Sequence, residues 1–90
     1  MAVLIRVDGS QEPFTDFTLE GYQKAVADGE LIQAVRFRDG SNRVMIMDER
    51  GKLKLKKPNN TATIMVGEWL LAGDYIAGDV IIAKTPEEWN

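Results

Sequence analysis

Arg36, Arg38, Lys52, Lys54 and Lys56 occupy every second position in two stretches of the middle of the chain. On β-strands, alternate side chains emerge from one face, so these five cations would form a shared basic surface. Such a surface can meet the phosphates of a nucleotide or of nucleic acid, and these residues are the candidate binding site. A plainer role is also open: lysines on an exposed strand discourage edge-to-edge pairing. No aromatic residue lies on that face to stack a base, since Phe37 has the opposite parity.

Other chemistry is poorly provided for. The chain has no His and no Cys, which removes the commonest general base, the commonest transition-metal ligand, thiolate nucleophiles and disulfides together. Ser10 and Ser41 lie among turn-forming residues, outside any nucleophile-elbow pattern, and no Gly-rich phosphate loop is present. Asp74 and Asp79 bracket a short segment but stand beside Gly73 and Gly78, the composition of turns, without the oxygen ladder of a calcium loop. The expectation is no catalytic residue, no metal, no cofactor and no enzymatic activity.

Charge is unevenly distributed over the 90 residues, whose net charge is -3. Residues 1–35 carry two cations against six carboxylates, a net of -4; residues 36–57 carry eight against three, a net of +5; residues 58–90 carry one against five, a net of -4. Acidic ends can imitate the phosphates of nucleic acid, but so small an overall charge argues against a mimic and for a solvated face on the first helix. A chain this short supports one core, so a single domain over 1–90 is expected, with a tail at 85–90. The apolar start from Ala2 to Ile5 lacks the basic flank of a signal peptide, and the neighbourhood of Ile64 to Ala72 is too short to span a bilayer. A cytoplasmic protein without membrane contact is the expectation.

Val3, Ile5 and Val7 alternate with Leu4 and Arg6, predicting a strand over 2–8. Gly9, Ser10 and Pro13 predict a loop running to Phe17. Thr18 can cap a helix over 19–28, with Phe17 stapled against Tyr22 and Leu19, Tyr22, Ala25 and Val26 on the apolar face. Strands follow at 31–38, 43–48 and 52–56, joined by turns at Asp39 to Asn42 and Asp48 to Gly51. In the third strand, Leu53 and Leu55 should point inward and the lysines outward.

Beyond Pro58, an Asn or Thr can cap residues 62–71. Ala, Met, Glu, Trp and Leu there favour a helix, whereas Thr63, Ile64, Val66 and Gly67 oppose it, and strand stays open as the alternative. Trp69 reads as core, and Trp89 either packs back on the domain or serves as an adhesive tail. Val80 to Lys84 predicts the last strand. The fold class is α+β: a mostly antiparallel sheet in the order strand, helix, three-strand meander, helix, strand, with both helices on one face.

The opening Ile5-Arg6-Val7-Asp8, the Gly51-Lys52-Leu53-Lys54 stretch, Pro58-Asn59 with Ala62-Thr63 after it, and Ile76-Ala77-Gly78-Asp79-Val80-Ile81-Ile82 together resemble a family of small proteins from phages and other mobile elements, catalogued as a domain of unknown function. The resemblance carries no catalytic residues. It implies an accessory protein that acts by binding something of the host, with a host protein as the expected partner. The alternative is a protein that sequesters a nucleotide or nucleic acid on the basic face. Exposed strands and a terminal Trp also permit a dimer without requiring it.

Overall fold

Two stretches of the chain are apolar at consecutive positions, Val44 to Met47 and Val80 to Ala83, and a strand of that kind must be covered on both faces. The computed structural model, which describes residues 1–67, 70 and 73–90, places both in the interior of one antiparallel sheet. In chain order the elements are β1 (Ala2–Ile5), β2 (Gln11–Phe14), α1 (Leu19–Val26), β3 (Ile32–Arg36), β4 (Arg43–Asp48), α2 (Asn60–Met65) and β5 (Val80–Lys84). The strand order is β2-β1-β5-β4-β3, with every neighbouring pair antiparallel. The last strand of the sequence is therefore the middle strand of the sheet.

Alternation along the central strands divides the core in two. Leu4, Val44, Ile46, Ile81 and Ala83 pack with Tyr22 and Val26 of α1. Ile5, Met45, Met47, Val80 and Ile82 pack with Ala62 of α2, Val66 and Ile76. The α+β class and antiparallel sheet stand as expected, but the helices take opposite faces rather than one. The reason is visible in β4 and β5: four consecutive apolar side chains in each leave neither face able to meet water. Each large side chain so buried contributes about 1.5–3 kcal/mol.

The first helix begins at Leu19 as expected, and the second begins at Asn60, two residues before the expected start, with an Asn as its cap. Thr18 accepts a hydrogen bond from the Gly21 amide at 2.9 Å, and Phe17 stacks on Tyr22 with ring centroids 6.5 Å apart. Asn59 accepts from the Ala62 amide at 3.0 Å. The described part of residues 62–71 is helical to Met65, whereas Glu68, Trp69 and Leu71, with the burial expected of Trp69, lie outside the described residues. At the other end of the chain Trp89 packs back, meeting Tyr22 edge-on at 5.4 Å, and the Tyr22 hydroxyl donates to the Glu88 carbonyl at 2.7 Å.

β1, α1 and β3 are each two or three residues shorter than expected, and two further segments differ in kind. Gln11–Phe14 is the edge strand β2 rather than loop, because Pro13 sits where an edge strand needs no amide. Residues 52–56 form turns rather than a third meander strand, and their side chains are inverted: Leu53 and Leu55 are 82% and 88% exposed, while Lys54 and Lys56 turn inward. The sheet's fifth strand thus comes from the first loop and not from the meander.

Candidate functional site

The inversion has an electrostatic cause. Asp48, at the end of β4, has a side chain 1% exposed, and a carboxylate so placed requires cations and amide donors. Its Oδ2 accepts from Lys54 Nζ at 2.8 Å and Lys56 Nζ at 2.9 Å, and its Oδ1 accepts from the Arg50 amide at 2.8 Å. Lys54 Nζ also donates to the Ala27 carbonyl at 3.1 Å, and Lys56 Nζ to the Val26 carbonyl at 2.9 Å. Both ammonium groups therefore close the C-terminal end of α1, where exposed carbonyls favour positive charge. Asp28 and Glu30 complete the cluster, with Glu30 Oε1 2.7 Å from Lys54 Nζ and Asp28 Oδ2 3.1 Å from Lys56 Nζ.

Burial pushes the Asp48 carboxyl upward, but hydrogen bonds from Lys54, Lys56 and the Arg50 amide outweigh it and hold the group below its ordinary range. Lys54 is raised by its bonds to Asp48 and Glu30. For Lys56, burial works downward and is outweighed by Asp48 and Asp28, leaving it raised. These lysines hold turn 49–57 against α1 and are committed to that task.

The five candidate cations consequently do not share one face. Lys52 pairs with Asp74 and stands 4.8 Å over the Tyr75 ring. Arg36 and Arg38 are exposed at the end of β3 and in the turn that follows. That turn is held by Asp39, whose carboxyl is lowered to about 2 by hydrogen bonds from Ser41 and then by Arg43, which lies 3.1 Å away. Arg43 in turn sits 4.4 Å over the Phe37 ring.

Arg36 and Arg38 contribute to the lining of a cavity of about 490 Å³ on the α2 side of the sheet, with Val35, Phe37, Met47, Val66, Leu70 and Ile76, although Arg36, in register with Val44, leaves its strand on the α1 side. A second hollow of about 280 Å³ shares Val35, Met47, Leu70 and Ile76 with that cavity, and Gln33, Asp48, Glu49, Lys52, Asp74 and Tyr75 make the rest of it largely polar. Together they make a groove that is mostly apolar where Arg36 and Arg38 join its lining and polar toward the Lys52–Asp74 pair. Sequence reasoning found its cations but missed its floor. The usable signal was Phe37, whose parity opposes the arginines and which therefore belongs to the same surface as Val35.

The two aspartates of the last loop are occupied separately. Asp74 takes Lys52, and Asp79 accepts from the Val7 amide at 3.0 Å. Among the described residues, no helix is long and apolar enough to cross a membrane.

Among the described residues, five antiparallel strands with a short helix on each face, and a groove with Arg36 and Arg38 in its lining, define a small α+β domain. The chain belongs to the family described as a domain of unknown function, DUF3846, whose model matches residues 1–90. No curated protein and no solved structure matches it.

Proposed function

We propose that this is a non-enzymatic binding protein whose groove takes an acidic, apolar-bearing segment of another protein. The observation that carries the reading is that Arg36 and Arg38 share the lining of one cavity with Val35, Phe37, Met47, Val66, Leu70 and Ile76. Apolar side chains of the partner would fill the hollow, and its carboxylates would meet the guanidinium groups, which suit carboxylates through their planar donor fork. On this reading the protein is an accessory factor of a mobile element, and its partner is a host protein met in the cytoplasm. The nucleotide reading loses support because two of its five cations, Lys54 and Lys56, already serve Asp48.

Panning a displayed random-peptide library on the purified protein tests this. The expected winners combine Asp or Glu with Leu or Phe. Their affinity, read by fluorescence anisotropy, should fall about fivefold in Arg36→Glu and should weaken with salt. A library without enrichment, or winners indifferent to Arg36→Glu, overturns the reading. Steeply salt-dependent binding of labelled DNA, RNA or nucleotides in the same assay would replace it with the phosphate reading.

A further inference from the structure

The two edges of the sheet offer different things to an incoming strand. In the β1–β2 ladder, the Arg6 amide donates to the Ser10 carbonyl at 2.9 Å. Alternation from that bond, in the register Leu4↔Glu12, turns the backbone groups of Gln11 and Pro13 outward. Proline has no N–H, so this edge is blunted. At the opposite edge, the Phe37 amide donates to the Arg43 carbonyl at 2.9 Å and the Glu49 amide to the Leu31 carbonyl at 3.2 Å. With Gln33↔Met47 and Val35↔Met45 in register between them, the N–H and C=O groups of Ile32, Ala34 and Arg36 point away from β4. β3 contains no proline and no lysine, and Gln33, Ala34 and Arg36 are exposed.

The charges around this edge say what pairs with it. Asp28 and Glu30 precede β3, with side chains 64% and 58% exposed even while bonded to lysine, and Arg36 and Arg38 close it. A strand with an acidic start and a basic end is complementary to itself when turned antiparallel.

We infer that β3 pairs antiparallel with β3 of a second copy of this chain, about a two-fold axis at Ala34. The two sheets then run on as one. In that register Ile32 and Arg36 of opposite copies exchange backbone hydrogen bonds, and Ala34 faces Ala34, where a small side chain lets the strands approach. Glu30 falls opposite Arg38 and diagonal to Arg36, within the reach of cross-strand charge pairs. This interface is isologous, as closed dimers require.

Light scattering and sedimentation on the full chain test the inference. The expected mass is twice 10.1 kDa, falling to the monomer in Ala34→Lys and in Ala34→Pro, with unchanged circular dichroism. The proline removes an N–H that the monomer's own ladder does not use; should it impair folding, Ala34→Lys decides alone. Raised salt should shift the wild type toward monomer. A monomeric wild type at the highest soluble concentration, or a dimer indifferent to Ala34→Lys, overturns the proposal; the first result leaves the edge to a strand from another protein. Because the interface and the groove share Arg36 and Arg38, peptide binding is read in the monomeric Ala34→Lys variant, where it should persist. Its loss there would count against the groove reading, whereas an unchanged oligomeric state would count against the interface.

Discussion

Asp48 and Lys54 are held together at 2.8 Å on the buried side of a turn whose leucines face water. Ordinary patterning would place Leu53 and Leu55 inside, yet a nearly fully buried carboxylate next to the carbonyl end of α1 selects the ammonium groups instead. The arrangement predicts a large effect from a nearly isosteric change. Asp48→Asn keeps the volume but leaves two lysines facing an amide, and should destabilise the fold by about 2 kcal/mol. Urea denaturation checks this; a change near zero would mean that the lysines are held by Asp28 and Glu30 alone.

The same cluster sets a pH dependence. Asp48 is lowered from 3.8, so its contribution is present above that value and is lost as pH falls through the folded-state pKa. Lys54 and Lys56 are raised from 10.5, so theirs is present below that value and is lost as pH rises through their folded-state pKa values. Stability should hold across neutral pH and decline on both sides. The difference between wild type and Asp48→Asn should shrink as acid protonates Asp48. Chemical denaturation of both proteins from neutral to strongly acidic pH measures it; a constant difference would separate Asp48 from the acid limb.

How much of this was legible in the sequence depended on the range of the interaction. β4 and β5 were readable to the residue, because Val44 to Met47 and Val80 to Ala83 are apolar at every position and bounded by turn residues. The cap Thr18 was readable, and the second cap was readable as an Asn or Thr after Pro58, because caps act within three residues. The lysine turn was not, because its alternating pattern equals that of a strand. What reverses its sides is a carboxylate six residues before Lys54 and carbonyls 27 and 30 residues away at the C-terminal end of α1. For the groove, Arg36 and Arg38 were visible as charges, whereas Val66, Leu70 and Ile76 reach the same surface from a distant segment. β2 was hidden by Pro13, which reads as a loop unless the strand is already known to be an edge.

Asn59 is a second point where one side chain joins distant segments. Fully buried, it accepts from the Ala62 amide and donates through Nδ2 to the carbonyls of Ile5 and Gly78, each at 3.0 Å. Asn59→Ala removes the cap and strands both carbonyls, so a loss of about 3 kcal/mol is expected. Asn59→Asp keeps the acceptor for Ala62 but sets a carboxylate against two carbonyls, and should be no milder than alanine. A thermal melt of both variants checks the ordering. If the Asn59→Asp variant proved close to wild type, the cap alone would account for the residue.

Leu55 yields a prediction of opposite sign. Its φ is 58°, in the left-handed region, and its side chain is 88% exposed, so it bears backbone strain without packing that could offset it. The left-handed conformation costs a non-glycine residue about 1–2 kcal/mol, whereas glycine adopts it freely at an unfolded-state entropy cost of about 0.5–1 kcal/mol. Leu55→Gly should therefore stabilise the isolated protein by about 0.5 kcal/mol, measured as a shift of the urea midpoint at unchanged slope. A destabilised variant would show that Leu55 packs in solution against a surface, and the same variant examined at increasing protein concentration would tell whether that surface belongs to a second copy.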